Sequence, residues 1–147
     1  VILPDVNVLV YAFRREAQLH ERYASWLARM VAGADELALH DTVLAGMVRL
    51  VTHPRIFAEP APMPVTLEFL ARLRGARRVR WLPSSDATWT EFERLAGTDR
   101  GLRANLVPDA LLAALARTHG CRIATADRGF ARFPGLHSFD PAASNLH

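Results

Sequence analysis

Apolar positions along this chain fall into two rhythms, short solid runs and helical spacing, and the two take turns from one end to the other. Residues 1–4, Val-Ile-Leu-Pro, read as a short buried strand. A helix over 7–13 follows, and its face runs out into Arg14, Arg15 and Glu16. In the next helix, over about 20–32, Tyr23, Trp26, Leu27 and Met30 keep the i, i+3, i+4, i+7 spacing of one buried stripe, and Gly33 supplies a stop. Leu37, Ala38 and Leu39 predict a second strand. Asp41 or Thr42 is placed to cap the helix that carries Leu44, Met47, Val48 and Val51. Thr52-His53-Pro54 ends that helix, because the residue before proline disfavours the helical region.

A stiff, proline-rich connector occupies 59–64, and Pro64 suits the first position of a helix reaching Gly75. Residues 79–82 predict a third strand. Ser84, Ser85 and Asp86 offer caps for a helix with Trp89, Phe92 and Ala96 on its apolar face. After a polar loop over 97–105, a strongly apolar helix over 108–119 ends at Gly120. Residues 121–125 predict a fourth strand and 136–139 a fifth, before Pro141 and a polar tail. Strands alternating with helices predict the α/β class: a three-layer α/β/α domain around a central, mostly parallel sheet of about five short strands. A length of 147 residues suits one such domain, 1–147.

Composition narrows the chemistry. Half the residues are apolar and no low-complexity stretch interrupts them, which excludes a disordered chain. No run approaches the roughly 18 apolar residues of a membrane span, and the first ten residues lack the basic start of a signal peptide. A cytoplasmic protein with no membrane partner is expected. The one cysteine, Cys121, excludes an internal disulfide and reads as a small core residue. All 18 basic residues are arginine. Without lysine there is no P-loop and no Schiff-base chemistry. The net charge of +3 is compatible with a polyanionic partner, and arginine is the better residue for forked contacts to phosphate. Arg72, Arg74, Arg77, Arg78 and Arg80 form the densest basic run and read as a solvated face, with phosphate positioning as the alternative; Trp26, Trp81 and Trp89 read as core, with base stacking as the lesser alternative. The six histidines show no paired zinc spacing, and no Gly-x-Ser-x-Gly elbow is present.

Three aspartates stand where predicted elements begin or end. Asp5 follows the first strand, Asp127 follows the fourth, and Asp109 lies in the first turn of the most apolar helix. Each has an ordinary reading: Asp5 as a helix cap, Asp109 as a partner of the helix dipole, Asp127 as a turn residue before Gly129. Together they point further. In an open parallel sheet, ligand sites form outside the carboxyl ends of the strands, so Asp5 and Asp127 would share an edge and a loop could bring Asp109 to it. Close carboxylates raise one another's pKa, and a divalent cation such as Mg²⁺ relieves the conflict. Asn7 lies beside Asp5, able to orient a carboxylate or a metal-bound water, and Thr125 lies beside Asp127; both count as supporting residues.

Four stretches carry a family resemblance: residues 5–12, Asp-Val-Asn-Val-Leu-Val-Tyr-Ala; residues 49–57, Arg-Leu-Val-Thr-His-Pro-Arg-Ile-Phe; residues 106–116, with Pro108-Asp109-Ala110; and residues 125–136, opening Thr-Ala-Asp-Arg-Gly-Phe. In this order they resemble the PIN-domain ribonuclease toxins of the VapC type. The resemblance implies an endoribonuclease that uses Mg²⁺ or Mn²⁺, leaves a 5′-phosphate and a 3′-hydroxyl, and belongs to a type II toxin–antitoxin pair. It implies RNA as substrate, a cognate antitoxin as partner and a homodimer. Asp5, Asp109 and Asp127 take the positions of the family's catalytic and metal-binding aspartates. Two departures are visible: Gly46 stands where many members have a glutamate, and Gly129 where a second aspartate is frequent. Asp41 is a candidate substitute for the acid missing at Gly46. Two other functions remain open on the sequence: a degenerate PIN-like module that binds RNA or protein without cutting, and a phosphatase with Asp5 as nucleophile, which the residue at Asn7 and the absence of lysine disfavour.

Overall fold

The short apolar runs become the strands of one sheet in the computed structural model, which describes residues 1–143. From residue 144 on, the polar tail lies outside the described residues. The strands are β1 (Ile2–Pro4), β2 (Leu37–Leu39), β3 (Val79–Trp81), β4 (Arg122–Ala124) and β5 (Ser138–Phe139). They lie in the order β3-β2-β1-β4-β5, and every pairing is parallel. Between them run α1 (Val6–Phe13), α2 (His20–Val31), α3 (Asp41–Val51), α4 (Met63–Arg74), α5 (Asp86–Thr98) and α6 (Leu106–His119), with a short 3-10 helix, Arg128–Arg132, before β5.

Parallel strands need crossovers, and crossovers are right-handed. Since β1, β2 and β3 step one way across the sheet and β4 returns to the far side of β1, helices α1–α4 and α5–α6 cover opposite faces. Helix contacts follow that division: α1 packs on α2 and α3, α3 on α4, and α5 on α6. This is the three-layer arrangement expected. The inner strands are apolar on both faces, as a doubly covered sheet requires, and Leu3, Leu37, Ala38 and Ile123 have no exposed surface. The order in which strands are added across the sheet switches between β1 and β4. There the loops after the two strands part, one to each face, and leave a crevice at their carboxyl ends.

Three local expectations change. The cap of α3 is His40, whose side chain accepts from the Thr42 N–H; Asp41 and Thr42 already lie in the helix. Helix α5 buries Thr88 and Leu95, with Phe92 packed against the core, and turns Trp89 and Ala96 outward. Two overlapping stripes compete on that helix, and the one with Thr88 and Leu95 turned inward. Of the three tryptophans, only Trp26 is core; Trp81 is 49% exposed and Trp89 54%. Trp81 sits on β3, an edge strand with no neighbour on its outer side among the described residues, beneath the Arg74 guanidinium at 5.9 Å. Trp89 stacks on Phe92 with ring centroids 4.9 Å apart. Cys121 is buried, as expected.

Candidate active site

Asp5 is the first residue beyond β1. Its backbone N–H donates to the Ala124 carbonyl at 2.8 Å, continuing the β1–β4 ladder one step past the strand, while its side chain caps α1 by accepting from the Val6 N–H at 2.7 Å. The capping reading is therefore correct, and it uses only one carboxylate oxygen. The other accepts from the Thr125 hydroxyl at 2.8 Å. Asp5 is 8% exposed and Thr125 3%.

Thr125 is the hub. Besides donating to Asp5, its Oγ1 accepts from the Asp127 backbone N–H at 3.0 Å and from Asn7 Nδ2 at 3.4 Å. Asn7 Oδ1 accepts in turn from the Ala126 N–H at 3.2 Å. The start of α1 and the turn after β4 are thus sewn together by side chains. Asp127 caps the 3-10 helix: its Oδ1 accepts from the Gly129 N–H at 2.7 Å, the turn role read from its neighbour. Asp127 is exposed, Asp109 half-buried.

Asp109 approaches from the other face of the sheet, in the first turn of α6. Asp5 and Asp109 line one cleft of about 440 Å³, together with Gly46 and Arg49 of α3. Burial, then the charges of Asp5 and Asp127, push the Asp109 carboxyl up to about 6; Arg132 opposes them. Asp5 is also raised, first by burial and then by Asp127, against the hydrogen bonds from Thr125 and Val6. Asp5 and Asp127 thus both act on Asp109, and Asp127 acts on Asp5, while no ion pair among the described residues includes any of the three. Arg132, the cation that acts on Asp109, is engaged by Asp99 at 2.9 Å.

Such a donor set fits a hard divalent cation. It offers carboxylate oxygens only, and their mutual repulsion is what a positive charge would relieve. Among the described residues no three His, Cys, Asp or Glu side chains converge to cage an ion unaided. Mg²⁺ does not require that, since it binds through one or two carboxylates and keeps waters or substrate oxygens for the rest.

The two glycines at acid positions have local reasons. A Cβ at Gly46 would come within 3.0 Å of Val6 Cγ2, so α3 packs on the start of α1 by lacking a side chain there. A Cβ at Gly129 would stand 2.9 Å from Asp127 Oδ1 and push that carboxylate from its present place. Asp41 does not replace the missing acid. Its side chain is 75% exposed beside His40, outside the cleft.

Residues that sequence reasoning did not assign to the site also line the cleft. His40 is 6% exposed, and Ser84 precedes the cap of α5. Both lie on loops at the carboxyl ends of β2 and β3, and that shared position was the signal available for finding them.

Comparison with known proteins agrees with this geometry. The model of the PIN domain family matches residues 2–136. The chain is 37% identical over 143 residues to VapC ribonuclease Mb2897 of Mycobacterium bovis, covering 97% of each. It is 31% identical over 142 residues to ribonuclease VapC25 of Mycobacterium tuberculosis, covering 96% of this chain and 99% of the relative. Among solved structures, VapBC2 from Rickettsia felis, bound to a DNA fragment from its promoter, superposes with a TM-score of 0.66 at 18% identity, over 95% of this chain and 97% of that one. FitAcB from Neisseria gonorrhoeae gives 0.63 at 21% identity, over 96% and 98%. These two similarities concern the fold.

Proposed function

Because this chain belongs to the PIN-domain family and, within it, to the VapC ribonucleases, we propose that it is an endoribonuclease, the toxin of a type II toxin–antitoxin pair, and that its activity depends on Mg²⁺ or Mn²⁺. The observation that carries the metal requirement is the set of three mutually repelling carboxylates at the β1/β4 crevice, none of them in an ion pair among the described residues. Asp5 and Asp109 would hold the ion, with Asp127 completing the set or orienting the attacking water. When bound, the ion supplies charge neutralisation at the phosphate and a more acidic water.

The chain's own residues do the positioning. Thr125 and the Val6 N–H fix both oxygens of Asp5 in place. Asn7 and Thr125 hold the turn that presents Asp127. Among the described residues the Asp109 side chain has no hydrogen-bond partner, so it is the carboxylate most free to turn toward a ligand. In the reaction a water oxygen bonds to phosphorus and the bond to the 3′-oxygen breaks, leaving a 5′-phosphate and a 3′-hydroxyl.

The 147 residues form one such domain in this reading, working in the cytoplasm on RNA. No helix among the described residues is long and apolar enough to cross a membrane. A cognate antitoxin would bind and silence it, and the toxin would pair as a homodimer.

Cleavage of RNA in Mg²⁺, its loss in a chelator, and its loss in Asp5→Asn and Asp109→Asn are the expected results. Undiminished cleavage by Asp5→Asn would sink the site assignment. RNA binding without any cutting by the parent protein would instead indicate a degenerate PIN-like binding module.

A further inference from the structure

We infer that the cleft beside Asp5 and Asp109 is a nucleotide subsite, which seats the unpaired base next to the scissile phosphate, reads that base through Ser84 and holds the neighbouring phosphate with Arg49. The inference rests on the ribonuclease reading above and names which part of the substrate that site selects.

Size and lining fit a nucleoside. The cleft measures about 440 Å³, within the range of roughly 300–1,000 Å³ typical of small-molecule sites. One wall is aliphatic, made by Val43 of α3 with Leu111, Leu112 and Leu115 of α6. A flat base can lie on such a wall, whereas a paired helix cannot enter a cleft of this size. Charge is arranged as a strand of RNA requires. The carboxylates that would take a metal, and through it the scissile phosphate, stand at one side. Arg49 lines the same cleft, is exposed, and makes no ion pair or hydrogen bond among the described residues. An unpaired guanidinium beside an acidic centre is suited to a second phosphate.

The polar side of the cleft is built by His40, Thr42 and Ser84. His40 Nδ1 accepts from the Thr42 backbone N–H at 3.2 Å, and the Thr42 hydroxyl lies 2.8 Å from the same nitrogen. Asp41 Oδ1 lies 3.1 Å from that nitrogen. The capping bond uses Nδ1, and Nε2 on the other side of the ring lies 3.3 Å from Ser84 Oγ. Ser84 lines the cleft, and its hydroxyl can donate to or accept from the edge of a base.

The test is single-turnover and steady-state cleavage of short single-stranded RNAs, identical except for each of the four bases in turn next to the mapped cut. Arg49→Ala should raise KM about tenfold with kcat within twofold, and should reduce the salt slope of kcat/KM by about 0.7, the value for one phosphate contact on a single strand. Arg49→Lys should recover part of that loss. Ser84→Ala should compress the preference between bases about fivefold, the worth of one ordinary hydrogen bond. Leu111→Asp should prevent productive binding without changing the sedimentation coefficient. Arg29→Ala, on the surface of α2, should change none of these. Parent-like KM and base preference in both Arg49→Ala and Ser84→Ala would overturn the subsite while leaving the ribonuclease reading intact. A change of oligomeric state in Leu111→Asp with unchanged KM would also overturn it, because the wall would then be a contact between copies. A parent protein that cuts no RNA would overturn both readings together.

Discussion

Thr125 is a small side chain, yet its hydroxyl joins three groups: it donates to Asp5 and accepts from the Asp127 N–H and from Asn7. Thr125→Val keeps the shape and deletes all three contacts. Losing a buried hydroxyl that satisfies a carboxylate should cost about 1–3 kcal/mol of stability in urea unfolding. Metal affinity and cleavage should fall about 10- to 100-fold, as for other residues that orient a metal ligand. A variant with full activity would show that the hub is dispensable. Asp109 makes a prediction of opposite sign. Its carboxyl is raised to about 6 in the folded chain, against roughly 3.9 in an unfolded one. The folded state then holds the proton more tightly, so the group favours folding below about pH 4 and that contribution is lost as pH rises through about 6. With metal chelated, Asp109→Asn should melt higher than the parent at pH 7.5, and the gap should close toward pH 4. Equal melting temperatures at pH 7.5 would argue that neither burial nor the charges of Asp5 and Asp127 raise the Asp109 carboxyl. At this scale the sequence was informative for the aspartates, since each sits in an extended motif. It was uninformative for His40 and Ser84, which belong to no motif and matter only through what stands opposite them.

Among the elements, α1 and α3 meet at Gly46 and Val6, and their fit explains the missing acid better than simple loss does. In an exposed helix, Gly→Ala would gain about 1 kcal/mol. Here the added Cβ meets Val6 Cγ2 at 3.0 Å, so Gly46→Ala should leave stability unchanged or lower. In a Val6→Ala background the same change should stabilise by about 0.5–1 kcal/mol, giving a clear coupling in a double-mutant cycle. Additive effects would mean that the helices do not touch there. Most element positions were legible because buried stripes at helical spacing and short apolar runs are strong local signals. The apolar face of α5 was not. Trp89, Phe92 and Ala96 form as good a stripe as Thr88, Phe92 and Leu95, and only the position of α6 against it decided which turned inward. Trp81 failed for a related reason: an aromatic on a strand predicts burial only if the strand has neighbours on both sides, and β3 is an edge.

For the molecule as a whole, the strand order β3-β2-β1-β4-β5 governs both function and local stability. The switch point at β1/β4 is also the centre of the sheet, so the loops that carry Asp5 and Asp127 rest on its best-buried strands. Hydrogen exchange should follow that order: the amides of Leu3, Ile123 and Ala124 should exchange slowest, and those of β3 and the 3-10 helix much faster. Uniform protection across the sheet would contradict it. By itself the sequence determined the alternation of strands and helices, the three aspartates and the motifs around them, because periodicity, caps and turns act over a few neighbouring residues. The tertiary structure decided which strand is central and which is an edge, how Asp109 on α6 comes to share a cleft with Asp5 after β1, and that Thr125 binds Asp5 across 120 positions of chain. Those outcomes depend on the right-handed return of β4 to the side of β1, a packing choice among distant elements that no local stretch of residues encodes.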